Sequence, residues 1–435
     1  MSEPLAVREA PASYQVVLES QRVRPGYKQS DLGIIPDDWD VIAMGQISQC
    51  LIGLTYSPLD VRDFGTLVLR SSNVQNGRLE FDDNVFVDMD IPARAITREN
   101  DILICVRNGS RQLIGKCALI DGKTAGSAFG AFMSVLRSDS AKFLFFEFQS
   151  SILKRQIDEV MGATINQITN KNMATFKVIW PPTKAEQDVI TAALSDADAL
   201  IDSLEQLITK KRSLKQGAMQ ELLTGKKRLP GFGGEWEKKR LGDLGDTYGG
   251  LMGKTKADFG KGAARYITFM SVMTNVVIDC GTFERVRVSS GESQNRAVKG
   301  DLFFNGSSET PEEVAMCAVL LDEVQDVYLN SFCFGFRFRE GVEADGLFFA
   351  YYLRSRVGRE LMKSLAQGST RYNLSKTALL NSLLKLPSQP EQIAIATILS
   401  DMDTEIAALE ARLAKAHDIK QGMMQELLTG RIRLV

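Results

Sequence analysis

The eleven residues KQGAMQELLTG at Lys215–Gly225 return as KQGMMQELLTG at Lys420–Gly430, 205 residues later and with one position changed. At that offset the match runs backwards without a gap to Pro182 and Pro387, with about half of the positions identical. A chain written this way folds as two related halves, each ending in the same element. That element reads as a long helix. Thr183 with Glu186, and Ser388 with Glu391, make the capping-box pattern in which hydroxyl and carboxylate each satisfy an orphan backbone N–H. Gly225 and Gly430 suit the left-handed position just past a helix end. Between these signals Ile190, Leu194, Ala197, Ile201, Leu204 and Ile208 recur at spacings of four and three, as do Ile395, Leu399, Met402, Ile406, Leu409 and Leu413. This is a heptad seam. About 40 helical residues make a rod of about 60 Å, and a lone rod would leave its seam wet, so the two copies are expected to pack together.

The seam leaves the polar identity unexplained. Lys215, Gln216, Gln220 and Glu221 match Lys420, Gln421, Gln425 and Glu426 although they lie off the apolar stripe. Packing constrains apolar size and does not dictate which polar residue faces water. The eight positions are therefore read as docking surfaces for two copies of one partner.

Before each helix stand about 135 residues of short apolar or alternating runs, such as DILICVRNG and GAFMSVLRS in the first half and GDLFFNGS and FCFGFRFRE in the second. They fit compact, mostly antiparallel β domains. A helical stretch and a polar loop follow in each. Trp39 and Trp236 align as core anchors, and Gly45 aligns with Gly242. The expected class is α+β, with an N-terminal extension at 1–26, β-rich domains at 27–181 and 230–386, and spacer helices at 182–229 and 387–435. The globular parts match in outline and differ in chemistry, as if each recognises something different. Their loops carry side chains that pair with bases and phosphates. In the first half these are Arg70, Ser71, Asn73, Arg107, Asn108, Arg111, Asn166, Gln167, Asn170 and Lys171. In the second they are Lys254, Thr255, Lys256, Ser271, Asn275, Asn305, Ser307, Arg371, Tyr372, Asn373, Ser375 and Lys376.

Composition narrows the chemistry. The 435 residues hold one histidine, His417, within a charged helical pattern, so zincin, HNH and Ser-His-Asp sites are excluded. Six scattered cysteines without a CxxC pair argue against zinc and disulfide frameworks and for a reducing cytoplasm. The start lacks the apolar core of a signal peptide, and no run approaches a membrane span. GGLMGKTKADFG resembles a phosphate loop, yet Tyr248 stands where its first glycine belongs. WPPTK at Trp180–Lys184 lacks the order of an amino-methyltransferase motif and sets up the first helix cap. No catalytic or metal constellation emerges, so no cofactor is expected in this chain. The net charge of −2 counts weakly against nucleic acid, since binding depends on where charges sit.

Two half-repeats, each a β-rich domain and a capped helix ending KQG.MQELLTG, resemble the specificity subunits of type I restriction–modification enzymes. ARYITFMSVMTN, GDLFFNGSS and GKTKADFG also look like this family's second-domain pattern, and the resemblance runs from about Tyr27 to Val435. It implies two target recognition domains, each reading half of a bipartite, asymmetric site on double-stranded DNA, with two antiparallel helices as spacer. It further implies two modification subunits that bind S-adenosylmethionine and methylate adenine N6, and two ATP-driven restriction subunits that use Mg. A non-catalytic role for this chain is implied too. The competing readings are a coiled-coil protein adaptor that never touches DNA, or a nuclease using carboxylates and lysine.

Overall fold

A computed structural model describes residues 23–161 and 166–434, so most of the expected N-terminal extension lies outside the described residues. The chain divides into two compact units: one runs to Asp202 and resumes at Ala414, and the other is Ser203–Leu413. Each unit thus takes the start of one long helix and the end of the other.

The two units repeat one topology. In the first, strands β1 (Gln49–Ile52), β2 (Ile102–Cys105), β3 (Cys117–Leu119) and β4 (Met133–Arg137) form an antiparallel sheet in the order β3-β2-β4-β1. In the second, β5 (Gly245–Gly249), β6 (Leu302–Asn305), β7 (Cys317–Val319) and β8 (Cys333–Phe338) form the same sheet in the order β7-β6-β8-β5. Each unit adds a small sheet with one parallel pair, Val68–Leu69 with Ala128–Phe129 and Arg265–Ile267 with Val327–Leu329. Pairing is thus mostly antiparallel, as the short alternating runs suggested, and only the small sheets are mixed. An arginine clamp on a buried aspartate recurs as well. Arg137 Nε and Nη2 grip Asp101 at 2.8 and 2.6 Å, and Arg337 grips Asp301 at 2.8 and 2.7 Å.

Each helical stretch read as continuous is in fact two helices. α1 (Ala141–Gln149) meets α2 (Ser151–Val160) at Ser150, whose hydroxyl accepts from the Leu153 N–H. After the long helix α3 (Lys184–Leu222), α4 (Gly346–Arg354) meets α5 (Arg356–Leu365) at Ser355, whose hydroxyl accepts from Gly358. A Cβ at Gly358 would strike the backbone of Tyr352 and Leu353, so this turn needs glycine. The last long helix is α6 (Gln389–Leu427).

The seam positions Ile190, Leu194, Ile201, Leu204 and Ile208 are buried, as are Ile395, Leu399, Ile406 and Leu409, while Ala197, Met402 and Leu413 are half-buried. Within the second unit the helices run antiparallel, with Arg212 meeting Glu410 at 2.6 Å and Lys215, further along its helix, meeting Asp403, earlier along the other. The first unit's core joins Phe143, Leu144 and Phe148 of α1 to Ile190 and Leu194 of α3 and to Leu427 and Leu428. The second joins Phe348 and Phe349 to Ile395, Leu399, Leu222 and Leu223 in the same way. Trp39 and Trp236 are buried as expected.

Candidate nucleic-acid interface and docking grooves

The repeated ELLTG ending has an intramolecular explanation. Its two leucines enter the core, and Thr224 and Thr429 donate to the carbonyls of Gln220 and Gln425, each at 2.6 Å. Gly225 and Gly430 both adopt φ 68, as the C′ reading required. A Cβ would stand 3.1 Å from the Trp236 ring at the first and 2.6 Å from Pro36 at the second. Just beyond, Arg228 closes on Glu391 with two bonds of 2.6 Å, and Arg433 closes on Glu186 at 2.7 and 3.0 Å. Both glutamates are buried. This corrects half of each expected capping box. The Glu186 N–H does donate to Thr183 Oγ1 at 3.2 Å, but both carboxylates are bound to arginine instead of to the cap. A bidentate guanidinium is the stronger partner for a buried carboxylate.

The lysines of the repeated segment also turn inward. Lys420 pairs with Asp198 at 2.6 Å, donates to Gln149 at 3.1 Å and lies 5.6 Å over the Phe146 ring. Lys215 pairs with Asp403 and lies 5.4 Å over Tyr351. Glu426 is half-buried and pairs with Arg431 at 3.4 Å, while exposed Glu221 faces Lys227 at 3.6 Å. The four glutamines Gln216, Gln220, Gln421 and Gln425 are exposed, and they line grooves. In the second unit Gln216, Met219, Gln220 and Thr224 face Ser355, Arg356, Val357 and Glu360 across about 800 Å³. In the first, Gln421, Met424, Gln425 and Thr429 face Ser150, Ser151, Ile152 and Arg155 across about 720 Å³. These walls correspond residue for residue at the 205-residue offset. The wall from the repeated segment is nearly constant, and the other wall varies.

The loop candidates sort into three groups. In the first unit Arg107 bridges Gln167 through the backbone, the Asn108 N–H donates to the Asn166 carbonyl at 3.3 Å, and Asn166 Nδ2 donates to Gly109 at 3.0 Å. Asn108 Nδ2 reaches Ser71 Oγ at 3.2 Å. Ser71, Arg107, Asn108, Asn166 and Gln167 therefore form one cluster. The second unit repeats it: Ser307 pairs with Asn373 in register, the Leu374 N–H donates to Gly306 at 3.0 Å, and Arg371 and Tyr372 precede. Arg371 and Asn373 are exposed.

A second group is not in either cluster. Arg70 is paired with Asp83 at 2.7 Å, and exposed Arg111 bonds the Asp158 carbonyl at 3.0 Å. Lys171, Lys256 and Lys376 are exposed, the last lying 5.5 Å over Phe334, and Ser375 caps the helix Lys376–Leu380. Lys254 donates to the Arg287 carbonyl at 2.6 Å and pairs with Glu292, whose carboxyl it holds down at about 2. Thr255 bonds Asp258 through its N–H and its hydroxyl, both at 2.9 Å, and with Arg287 holds that carboxyl well below the usual range.

A third group is bonded within its own unit. Asn73 is fully buried, accepting from the Arg70 N–H at 3.0 Å and donating to the Glu80 carbonyl at 2.9 Å. Asn305 is fully buried, accepting from Met316 at 2.6 Å and donating to Glu313 at 2.9 Å. Ser271 is buried beside Thr282 and Asn275, and Asn170 is held by Ser134 at 2.8 Å and the Cys50 carbonyl at 3.3 Å. Asn and Ser are favoured in turns and caps as much as in DNA contacts, so composition does not separate the two roles.

Among the described residues no three His, Cys, Asp or Glu side chains converge as metal ligands, and no helix is long and apolar enough to cross a membrane. The model of the type I restriction modification DNA specificity domain matches this chain twice, over residues 36–211 and 233–416. The chain belongs to this family. It is 28% identical over 210 residues to the EcoKI specificity subunit of Escherichia coli (strain K12), covering 45% of this chain and 44% of that one. It is 27% identical over 207 residues to the StySPI specificity subunit of Salmonella potsdam, covering 44% of each. The match thus spans less than half the length of these two relatives. It spans 94% of the MjaVIII specificity subunit of Methanocaldococcus jannaschii and 92% of this chain, at 23% identity over 436 residues. The fold is also that of the type I specificity subunit from M. genitalium, with a TM-score of 0.56 and 16% identity over 89% of this chain and 96% of that one. A chain of a type I system studied for its assembly and conformational transition superposes with a TM-score of 0.54 and 17% identity, covering 92% of this chain and 99% of that chain.

Proposed function

We propose that this member of the specificity-domain family is the DNA-recognition subunit of a type I restriction–modification complex. Each β-rich unit reads one half of a bipartite, asymmetric site through its loop cluster, Ser71, Arg107, Asn108 and Gln167 in one and Ser307, Arg371, Tyr372 and Asn373 in the other. The two long helices set the spacing between the halves. Two modification subunits dock at the grooves walled by Gln216 and Gln220 and by Gln421 and Gln425. S-adenosylmethionine, ATP and Mg belong to the modification and restriction subunits, as does the chemistry, in the cytoplasm. The observation that carries this reading is that one groove is built twice from a near-invariant segment while the loop clusters keep their backbone pairing and change their side chains. Two like partners on one constant surface, combined with two different readers, need that division of labour.

The test is adenine-methylation mapping in cells holding a candidate modification subunit, with and without this chain. Methylation is expected at one bipartite motif only when the chain is present, and native mass spectrometry is expected to give two modification subunits per chain. Co-purification without any motif would reject the recognition role.

A further inference from the structure

Both recognition units display a phenylalanine where a soluble surface gains nothing from one. Phe132 is 56% exposed and Phe332 is 64% exposed. They occupy the same place in the topology, on the turn between the parallel strand pair and the last strand of the main sheet. The turn is held equally in both. The Met133 N–H donates to Gly130 at 2.9 Å and the Cys333 N–H to Asn330 at 3.0 Å, closing the turn under the ring. The carbonyl of each phenylalanine is also taken, by the Val106 N–H at 3.0 Å and by the Gly306 N–H at 2.9 Å. Behind each turn a glycine, Gly53 or Gly250, allows a backbone approach that any Cβ would block, against the carbonyl of Gly130 or of Asn330. The rings are therefore presented on rigid backbone. Each turn is bonded to the loop that carries its cluster, Arg107–Asn108 in one unit and Gly306–Ser307 in the other, and the Arg107 guanidinium lies 5.1 Å over the Phe132 ring.

We infer that Phe132 and Phe332 are base-contacting residues of the two recognition surfaces, each ring packing on the bases of duplex DNA beside the polar cluster. Rigid, exposed aromatic side chains next to Arg and Asn suit this use, because apolar rings contact thymine methyl groups or wedge at a base step while the polar neighbours read base edges. The same ring in both units, amid loops that otherwise differ, marks a shared contact with the stack. The flanking polar residues supply what differs between half-sites. This inference rests on the DNA-recognition reading above.

The test uses the full chain assembled with its modification subunit, and compares a duplex carrying the mapped motif with a scrambled duplex. Phe132→Ala and Phe332→Ala are each expected to weaken motif binding by roughly tenfold or more, to leave scrambled-duplex binding unchanged, and to keep the wild-type melting temperature. Phe132→Leu is expected to retain part of the lost affinity. Unchanged motif binding overturns the inference, as does an equal loss on both duplexes or a loss of subunit assembly in place of DNA discrimination. A wild-type complex that binds both duplexes alike overturns the recognition reading itself, and the ring contact with it.

Discussion

Glu147 shows how one residue can set a pH dependence. Its side chain is fully buried in α1, and neither carboxylate oxygen has a hydrogen-bond partner among the described residues. Burial raises its pKa well above the ordinary value. The folded chain therefore keeps a proton that the unfolded chain releases above about pH 4.3. Stability from this group falls as pH rises from there through the raised folded value. Glu147→Gln is expected to raise stability at pH 8 by about 2 kcal/mol and to converge with the wild type near pH 4. Urea unfolding at the two pH values measures this, and an equal effect at both would refute it. The corresponding Tyr352 carries no such penalty at neutral pH, since burial raises a hydroxyl that is already neutral there.

At the scale of the element, the repeated segment faces two ways with interleaved residues. Leu222, Leu223, Gly225 and Lys215 face their own unit, as do Leu427, Leu428, Gly430 and Lys420. Gln216, Gln220, Gln421 and Gln425 face the grooves. Lys215→Met is expected to cost about 1 kcal/mol of stability through the lost ion pair and ring contact, with partner binding largely kept. The paired change Gln220→Arg with Gln425→Arg is expected to do the reverse, abolishing co-purification of the modification subunit at an unchanged melting temperature. Co-purification and calorimetry on the same variants separate the two roles.

For the whole molecule, the arginine that follows each long helix closes a unit on the first turn of the other helix. Arg228 holds Glu391 in the second unit, and Arg433 holds Glu186 and Asp38 in the first. Removing either arginine leaves a buried carboxylate unpaired, which is strongly destabilising. Arg433→Ala is expected to lower the unfolding transition of the first unit alone, and Arg228→Ala that of the second. Hydrogen exchange localises the effect: faster exchange confined to the expected unit supports the assignment, and uniform loss across both contradicts it.

The duplicated helices, their seam and their glycine ends were legible along the chain because helix signals are local and periodic, and a repeat can be compared with itself. The tryptophan anchors were legible for the same reason. Long-range partners were not. That Glu186 and Glu391 would leave their caps for Arg433 and Arg228, or that Lys215 and Lys420 would turn to Asp403 and Asp198, depends on residues about 160 to 250 positions away. Nothing in the chain separates Asn108, which faces the loop cluster, from Asn73 and Asn305, which are spent on backbone groups in the interior. Phe132 and Phe332 sit inside runs that read simply as strands, and only the closed turns put their rings in water. Sequence carries periodicity and local chemistry; burial and pairing between distant residues exist only once the chain has closed on itself.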